Sequence, residues 1–483
     1  MKSDFRRTKI VCTVGPASEN KIEELINAGM NVARINFSHG SYDEQEEKVL
    51  NILSIRKKLK KPIALLLDMQ GPEIRTGRLK KDDEKVKLEE GNSFVLYNED
   101  ILGDENGVSV SYKGLYKDIK IYDKILLDDG AIELKVLSIQ DKDIHCTVVN
   151  AGMLGNRKSI NIPGASLKLP TLKDKDIQDL KDGIKAGFDF VAASFVRNKE
   201  DVLKVREVLN ENGGNDIKLI CKIENQEGID NFDEILSVSD GIMIARGDLA
   251  VEVPFEQVPI IQKNLIKKCN DEGKIVITAT QMLESMTNNP LPTRAEVSDV
   301  ANAVFDLTGC IMLSGECAVG NYPVKCVETM DKIAISIEET LKYWKRFINK
   351  TFELEPKDID KNIAYTTCIT ARDINADAIV AYTHTGHSVN IISGMNPECP
   401  ILAVTDCERT YYQLALVWNV YPILIENAKN INKTIELGIN KLKEDGILEK
   451  GETIILAGGA SIIEENETNK YSINKTIGGV VKI

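Results

Sequence analysis

The chain has 483 residues, 43% hydrophobic and 28% charged, which describes an ordinary globular protein too long for a single core. A net charge of −13 argues against nucleic acid or an anionic membrane as partner, so an anionic ligand would need a locally basic pocket. The start, MKSDFRRTKIVCTVG, lacks the apolar core of a signal peptide, and no apolar run is long enough to span a bilayer.

Apolar runs of strand length alternate with segments of 3.6-residue periodicity. The first three runs are KIVCTVG, VARINF and IALLLD, with helical patterns such as NKIEELINAGM between them. About a hundred residues without helical period follow. They read as the short strands KVKLEEG, SFVLY, KILLDDGAIELKVLSI and IHCTVVN, between hinges at Gly71-Pro72 and Leu169-Pro170. A helical pattern from Asp174 restores the rhythm, and FDFVAASF, IKLICKIEN, GIMIARGD, KIVITATQ and CIMLSG complete eight strands. Eight short strands alternating with helices predict an α/β fold, a parallel (β/α)8 TIM barrel over 1–70 and 171–343. A doubly wound open sheet is the rival, but its strands need not number eight.

The insert at 71–170 follows the third strand, over the end of the barrel where chemistry gathers, and is read as a small β lid domain. The region 344–483 opens on the helix DKNIAYTTCITARDIN and then alternates AIVAYTH, PILAVTD, YPILI and ETIILAGG with helices, a further α/β domain.

Ten cysteines are scattered without a CxxC pair, which fits a reducing cytoplasm and neither a zinc ribbon nor a disulfide framework. The four histidines are dispersed as well. His384 and His387 are near enough to share a metal, but a turn beside a helix start is the better reading.

Functional side chains of a barrel gather at the C-terminal ends of its strands. Strand two ends in Arg34, Asn36, Ser38 and His39, and strand three in Asp68 followed by Glu73 and Arg75. Strand four ends in Ser194, five in Lys222 and Glu224, and six in Arg246, Gly247 and Asp248. Thr280 and Gln281 close strand seven; Ser314 and Glu316 close strand eight. Lys222 and Glu224 stand two apart and project together. Alone, they read as an ion pair closing a strand. Thr280 alone is a helix cap, and Asp68 before Gly71-Pro72 is a turn residue. Their combination carries more. Glu224 and Asp248 suit a hard divalent cation such as Mg²⁺. Arg34, Arg75 and Lys222 suit phosphate oxygens. Gly247 lets a backbone N–H approach a ligand. Together they describe phosphoryl chemistry, in which positioning and charge neutralisation dominate.

The motifs TKIVCTVGPAS (8–18), ARINFSHG (33–40), GPEIRTG (71–77), KIEN (222–225), ARGDLA (245–250), TATQMLESM (278–286), PTRAEVSDVANAV (292–304) and MLSGE (312–316) resemble the pyruvate kinase family, in the family's order and over the whole chain. The resemblance implies a TIM barrel with an inserted small β-barrel lid, carrying NIPG at 161–164, and a C-terminal regulatory domain. It implies phosphoryl transfer from phosphoenolpyruvate to ADP, giving pyruvate and ATP in the last step of glycolysis. Arg34, Lys222, Gly247, Asp248 and Thr280 would bind substrate, with Lys222 neutralising the phosphoryl in flight. Thr280 and Ser314 would serve the proton relay to the enolate. Glu224 and Asp248 would hold Mg²⁺ or Mn²⁺; Asn36, Ser38, Asp68 and the carbonyl of Met69 would hold K⁺. Asn36, His39, Arg75 and Lys158 would hold the nucleotide. A homotetramer is implied too. In the C-terminal domain Thr383, Thr385, Gly386 and Ser388 offer hydroxyls and backbone N–H groups at a helix start, which reads either as a site for a phosphate effector, AMP or a sugar phosphate, or as a capped helix start with no ligand.

Some positions depart from the family pattern. Met69-Gln70 replaces the usual Thr-Lys, Ala250 a common Gly and Val319 a common Lys. THTGHS (383–388) only approximates the phosphate-binding loop, and Tyr412 stands where Arg is frequent. Glu73 is retained where a Lys accompanies K⁺-independent members.

Overall fold

The computed structural model describes residues 5–38, 40, 42–80, 84–352, 354–356, 358–426, 431–461 and 474–483. Eight parallel strands close into a barrel in chain order: Lys9–Thr13, Val32–Asn36, Ala64–Asp68, Phe190–Ala193, Lys218–Ile223, Gly241–Ala245, Ile275–Ala279 and Cys310–Leu313. The last pairs with the first, Lys9 beside Cys310. Closure follows from strands buried on both faces. Val11, Leu66, Ile220, Met243 and Met312 fill the interior, while Ile10, Leu65, Leu67 and Ile223 pack under the helices. Each such side chain contributes roughly 1.5–3 kcal/mol by leaving water.

The inserted segment forms a six-stranded sheet with a two-stranded companion around its own core, which includes Phe94, Leu96, Ile125 and Leu134. The C-terminal domain is a five-stranded sheet whose four expected strands are parallel. A fifth strand, Asn474–Lys482, runs antiparallel beside Thr453–Ser461. Gly478-Gly479 interrupts the apolar run of this fifth strand, which leaves it without a strand signature in the sequence.

This domain closes the N-terminal end of the barrel, so the core of the barrel interior continues into Leu414, Leu416 and Val417. Arg56 pairs with Asp189 at 2.7 Å, and the ring of Tyr412 lies 3.7 Å from its guanidinium. An arginine at 412 would set two cations face to face. Tyr412 therefore fits its barrel neighbour.

At the same seam Lys9 is 3% exposed, donates from Nζ to the carbonyl of Val420 at 2.7 Å and lies over the Tyr421 ring. Burial, reinforced by Arg6, lowers its amine to about 7. Below that value the folded and unfolded chains both carry the proton, and the cost of burying the charge is full. Between about 7 and 10.5 the unfolded chain holds the extra proton, so the contribution of Lys9 to stability rises with pH across that window. Urea unfolding of the native chain and of Lys9→Met, compared at each pH, should give a difference that moves in favour of the native chain by up to about 1.4 kcal/mol per pH unit there. Buried thiols such as Cys221 and Cys269, which burial keeps protonated, act on both chains alike. A difference independent of pH would refute this account.

No helix among the described residues is long and apolar enough to cross a membrane. All ten cysteines are free thiols, nine of them buried.

Candidate active site

Each barrel strand ends where its apolar run meets a polar side chain, and the parallel register brings those ends together. Asn36 lies beside Asp68, Asp68 beside Ala192, and Lys222 beside Met243. Arg34 reaches across this rim. Its Nε donates to Asp68 Oδ2 at 2.6 Å and its Nη1 to Thr13 Oγ1 at 2.7 Å. Asp68 also faces Lys222, with Nζ at 3.4 Å from Oδ1. Burial would raise the Asp68 carboxyl, but Arg34 and Lys222 outweigh it and hold the group below its ordinary range.

Lys222 is the hub. Its Nζ lies 2.9 Å from Glu224 Oε1 and donates to Ser194 Oγ at 2.8 Å. The side chain is 12% exposed. Burial alone would lower its amine, but Asp68, Glu224 and Asp248 raise it above the usual lysine value. The ammonium is therefore permanent at neutral pH.

Glu224 is pushed the other way: burial raises its carboxyl, and Asp248 adds to the rise against the pull of Lys222. Oε2 accepts the N–H of Phe195, but Oε1 makes no hydrogen bond, since its contact with Lys222 has the distance of an ion pair without the angle. A buried carboxylate oxygen is thus left for a further cation.

Asp248 belongs to the short helix Arg246–Glu252, which begins at the end of strand six. The N–H of Gly247 donates to Thr280 Oγ1 at 2.8 Å, linking strands six and seven. Ser314 stands at the residue before the helix Gly315–Ala318, and its N–H donates to the fully buried Glu316. Asn36 Oδ1 accepts from Ser38 N at 3.0 Å, and the carbonyl of Met69 accepts from Ser194 Oγ at 2.7 Å. His39 lies outside the described residues.

A cleft of about 390 Å³ separates barrel and lid, walled by Glu73, Asn161, Arg197, Asp230, Asp248 and Glu252. Arg75 and Lys158 stay on the lid side, Arg75 on Glu73 at 2.8 Å and Lys158 on Asp128 at 2.9 Å. Asn161, in NIPG, donates to Glu252 at 2.9 Å and ties the lid to the helix of Asp248.

Two contacts of the site lie outside the residues the sequence points to. Thr13 closes strand one, the one strand whose end is not among the candidates, and receives Arg34. Glu252 stands one helical turn after Asp248, and that spacing was its only signal.

The loop 383–388 is remote, in the C-terminal domain. Gly386, at φ +84°, precedes the helix His387–Gly394, as the turn reading expects. Thr383 Oγ1 accepts from Gly386 N at 2.9 Å. His384 faces Asp406 at 2.8 Å and His387 faces Asp360 at 3.3 Å, so the two histidines have separate partners.

A closed (β/α)8 barrel with cations and carboxylates clustered on its C-terminal rim, beneath the inserted β segment, defines a barrel enzyme equipped for phosphoryl groups. The family descriptions "Pyruvate kinase, barrel domain" and "Pyruvate kinase, alpha/beta domain" match residues 5–327 and 361–474. The chain belongs to the pyruvate kinase family. It is 46% identical to a pyruvate kinase of Clostridium acetobutylicum, over 97% of this chain and 99% of that protein. It is 46% identical to one of Bacillus licheniformis, over 99% of this chain and 81% of that one. A crystal structure of a pyruvate kinase from Cryptosporidium parvum superposes with a TM-score of 0.91 at 36% identity, covering 99% of this chain and 96% of that one.

Proposed function

We propose that this enzyme transfers the phosphoryl group of phosphoenolpyruvate to ADP, giving pyruvate and ATP. The observation that carries the reading is Lys222, a permanent ammonium held among Asp68, Glu224 and Ser194 on the rim that also bears Arg34. In this role Arg34 and Lys222 orient and neutralise the phosphoryl, and Gly247, Asp248 and Thr280 hold the rest of the substrate. Thr280 and Ser314, on adjacent strands, handle the proton that turns the enolate into the methyl group of pyruvate.

The residues fit a divalent cation. Glu224 offers a buried oxygen without a hydrogen bond, and Asp248 is the second hard donor. Bound there, Mg²⁺ or Mn²⁺ would supply Lewis-acid polarisation of the substrate oxygens. Asn36, Ser38, Asp68 and the Met69 carbonyl, all oxygen donors, are assigned to K⁺, and the substitution of Met for Thr at 69 spares a backbone ligand. Asn36, His39, Arg75 and Lys158 are assigned to the nucleotide.

We assign the catalytic barrel to 1–70 and 171–343, the lid to 71–170 and the regulatory domain to 344–483. Free thiols suit a cytoplasmic enzyme. A homotetramer is assigned by the resemblance to the family.

The direct test is a coupled assay with phosphoenolpyruvate, ADP, Mg²⁺ and K⁺. Absence of pyruvate formation would reject the reading. K⁺ should activate, since Glu73 is retained and its carboxylate stays with Arg75 at 2.8 Å. Equal rates in K⁺ and in a bulky organic cation at matched ionic strength would refute that expectation.

The loop 383–388 is assigned to a phosphate effector, held by Thr383, Thr385, Gly386 and Ser388. Asp360 and Asp406 beside the two histidines add negative charge. A monophosphate, AMP or a sugar monophosphate, should therefore lower the apparent KM for phosphoenolpyruvate more than fructose bisphosphate does. Activation by the bisphosphate alone would reject the assignment. So would activation that survives Thr385→Ala with Ser388→Ala.

A further inference from the structure

Thr280 has φ +68° and Gln281 φ +54°. Two successive non-glycine residues in the left-handed region are unusual, and the first is β-branched, the type least suited to it. Such a conformation persists only when its surroundings impose it. The surroundings are one guanidinium. Arg246 donates from Nε to the carbonyl of Ala279 at 3.3 Å and from Nη2 to the carbonyl of Thr280 at 2.6 Å. Those two carbonyls belong to the peptide planes on either side of Thr280, and the angle between these planes is what φ and ψ of Thr280 describe.

Arg246 is itself fixed. Nη1 pairs with Asp299 at 2.7 Å and lies 3.4 Å from Gln262 Oε1, while Nη2 also meets Met282 Sδ at 2.8 Å. The side chain is 10% exposed. Thr280 Oγ1 donates to the Ala279 carbonyl at 2.6 Å, the same oxygen that Arg246 holds, and accepts from Gly247 N. Backbone clamp and hydroxyl direction are thus one unit.

We propose that Arg246 is a positioning residue for the proton-transfer half of the reaction: its guanidinium, anchored by Asp299, holds Thr280 in the left-handed conformation that sets its hydroxyl beside Gly247 at the rim of the barrel. The inference rests on the assignment of Thr280 to proton transfer. In that step the enolate carbon takes a proton as its double-bond electron pair forms the new C–H bond. The ketone C=O re-forms, and the hydroxyl relay regains its proton from solvent. Arg246 touches neither substrate nor proton. Its planar fork spans two carbonyls and a carboxylate at once, which the single ammonium of a lysine cannot do.

The test uses the full-length protein with Mg²⁺, K⁺ and ATP, following exchange of the pyruvate methyl protons for deuterium by NMR, alongside kcat and KM. Arg246→Lys should slow exchange by about 10- to 100-fold, the scale of an ångström-level misplacement, and leave KM for ADP unchanged. Asp299→Asn should slow it less. Adding Gln281→Gly to either variant should recover much of the loss, because glycine takes positive φ without penalty and eases the turn. A merely structural contribution of Arg246 would not be rescued in this way. If Arg246→Lys does not fold, Asp299→Asn with and without Gln281→Gly makes the same comparison.

Native exchange rates in the variants, or a loss that Gln281→Gly leaves untouched, would overturn the clamp. Thr280→Ala separates the two layers. Native exchange there overturns the assignment of Thr280 itself, and exchange lost in Thr280→Ala but intact in Arg246→Lys overturns the clamp alone.

Discussion

Lys222→Met lowers kcat by about 10²–10³-fold and shifts KM for either substrate far less, the loss typical of removing one electrostatic group aimed at a transition state. The ammonium sits among Asp68, Glu224 and Ser194 with little solvent near it. Its charge is already oriented before the phosphoryl moves, so no reorganisation is needed at the moment of transfer. Arg34 stays on Asp68 in the mutant, and ground-state binding of phosphate therefore keeps one of its two cations. Exchange of the pyruvate methyl protons should survive, because that step relies on Thr280 and the bound metal more than on the lysine. Steady-state kinetics and the exchange assay on one preparation check both statements. A mutant with near-native kcat would remove Lys222 from its assigned role.

The eight strands were legible because each is a short apolar run between helical patterns, and burial on both faces leaves no other use for them. Lys222 and Glu224 were legible as a pair because strand geometry puts residues two apart on one side; the structure puts them in contact at 2.9 Å. What stayed hidden depends on register and long-range contact. Thr13 and Arg34 are neighbours because strands one and two pair with those two residues level, and no local pattern announces that register. Asn161 and Glu252 meet across 91 residues, once the lid has returned over the barrel. The grip of Arg246 on the peptide planes around Thr280 needs coordinates, since positive φ at a threonine has no sequence signature. Tyr412 looked like a lost cation until Arg56 appeared beneath its ring.

Glu224→Gln and Asp248→Asn should each weaken Mg²⁺ binding, with the larger effect at Glu224. A neutral amide is a poorer ligand for a hard cation, and losing a charge-assisted contact of roughly 1.5–3 kcal/mol corresponds to about 10- to 100-fold in affinity. The sites differ in what the amide meets. At 224 the oxygen that accepts from Phe195 N can be reproduced, which turns the amide nitrogen toward Lys222. Two donors then face each other where ammonium and carboxylate stood, so Glu224→Gln should disturb Lys222 and reduce kcat as well as metal affinity. Asp248 is only partly buried, and its replacement should act chiefly on the cation. Titration of the metal-free protein with Mn²⁺, followed by electron paramagnetic resonance, reads affinity without turnover, and Mg²⁺ activation curves read the kinetic consequence. Native Mn²⁺ affinity in both variants would mean that the two carboxylates are not the metal ligands. The buried oxygen of Glu224 would then be no more than the partner of Lys222.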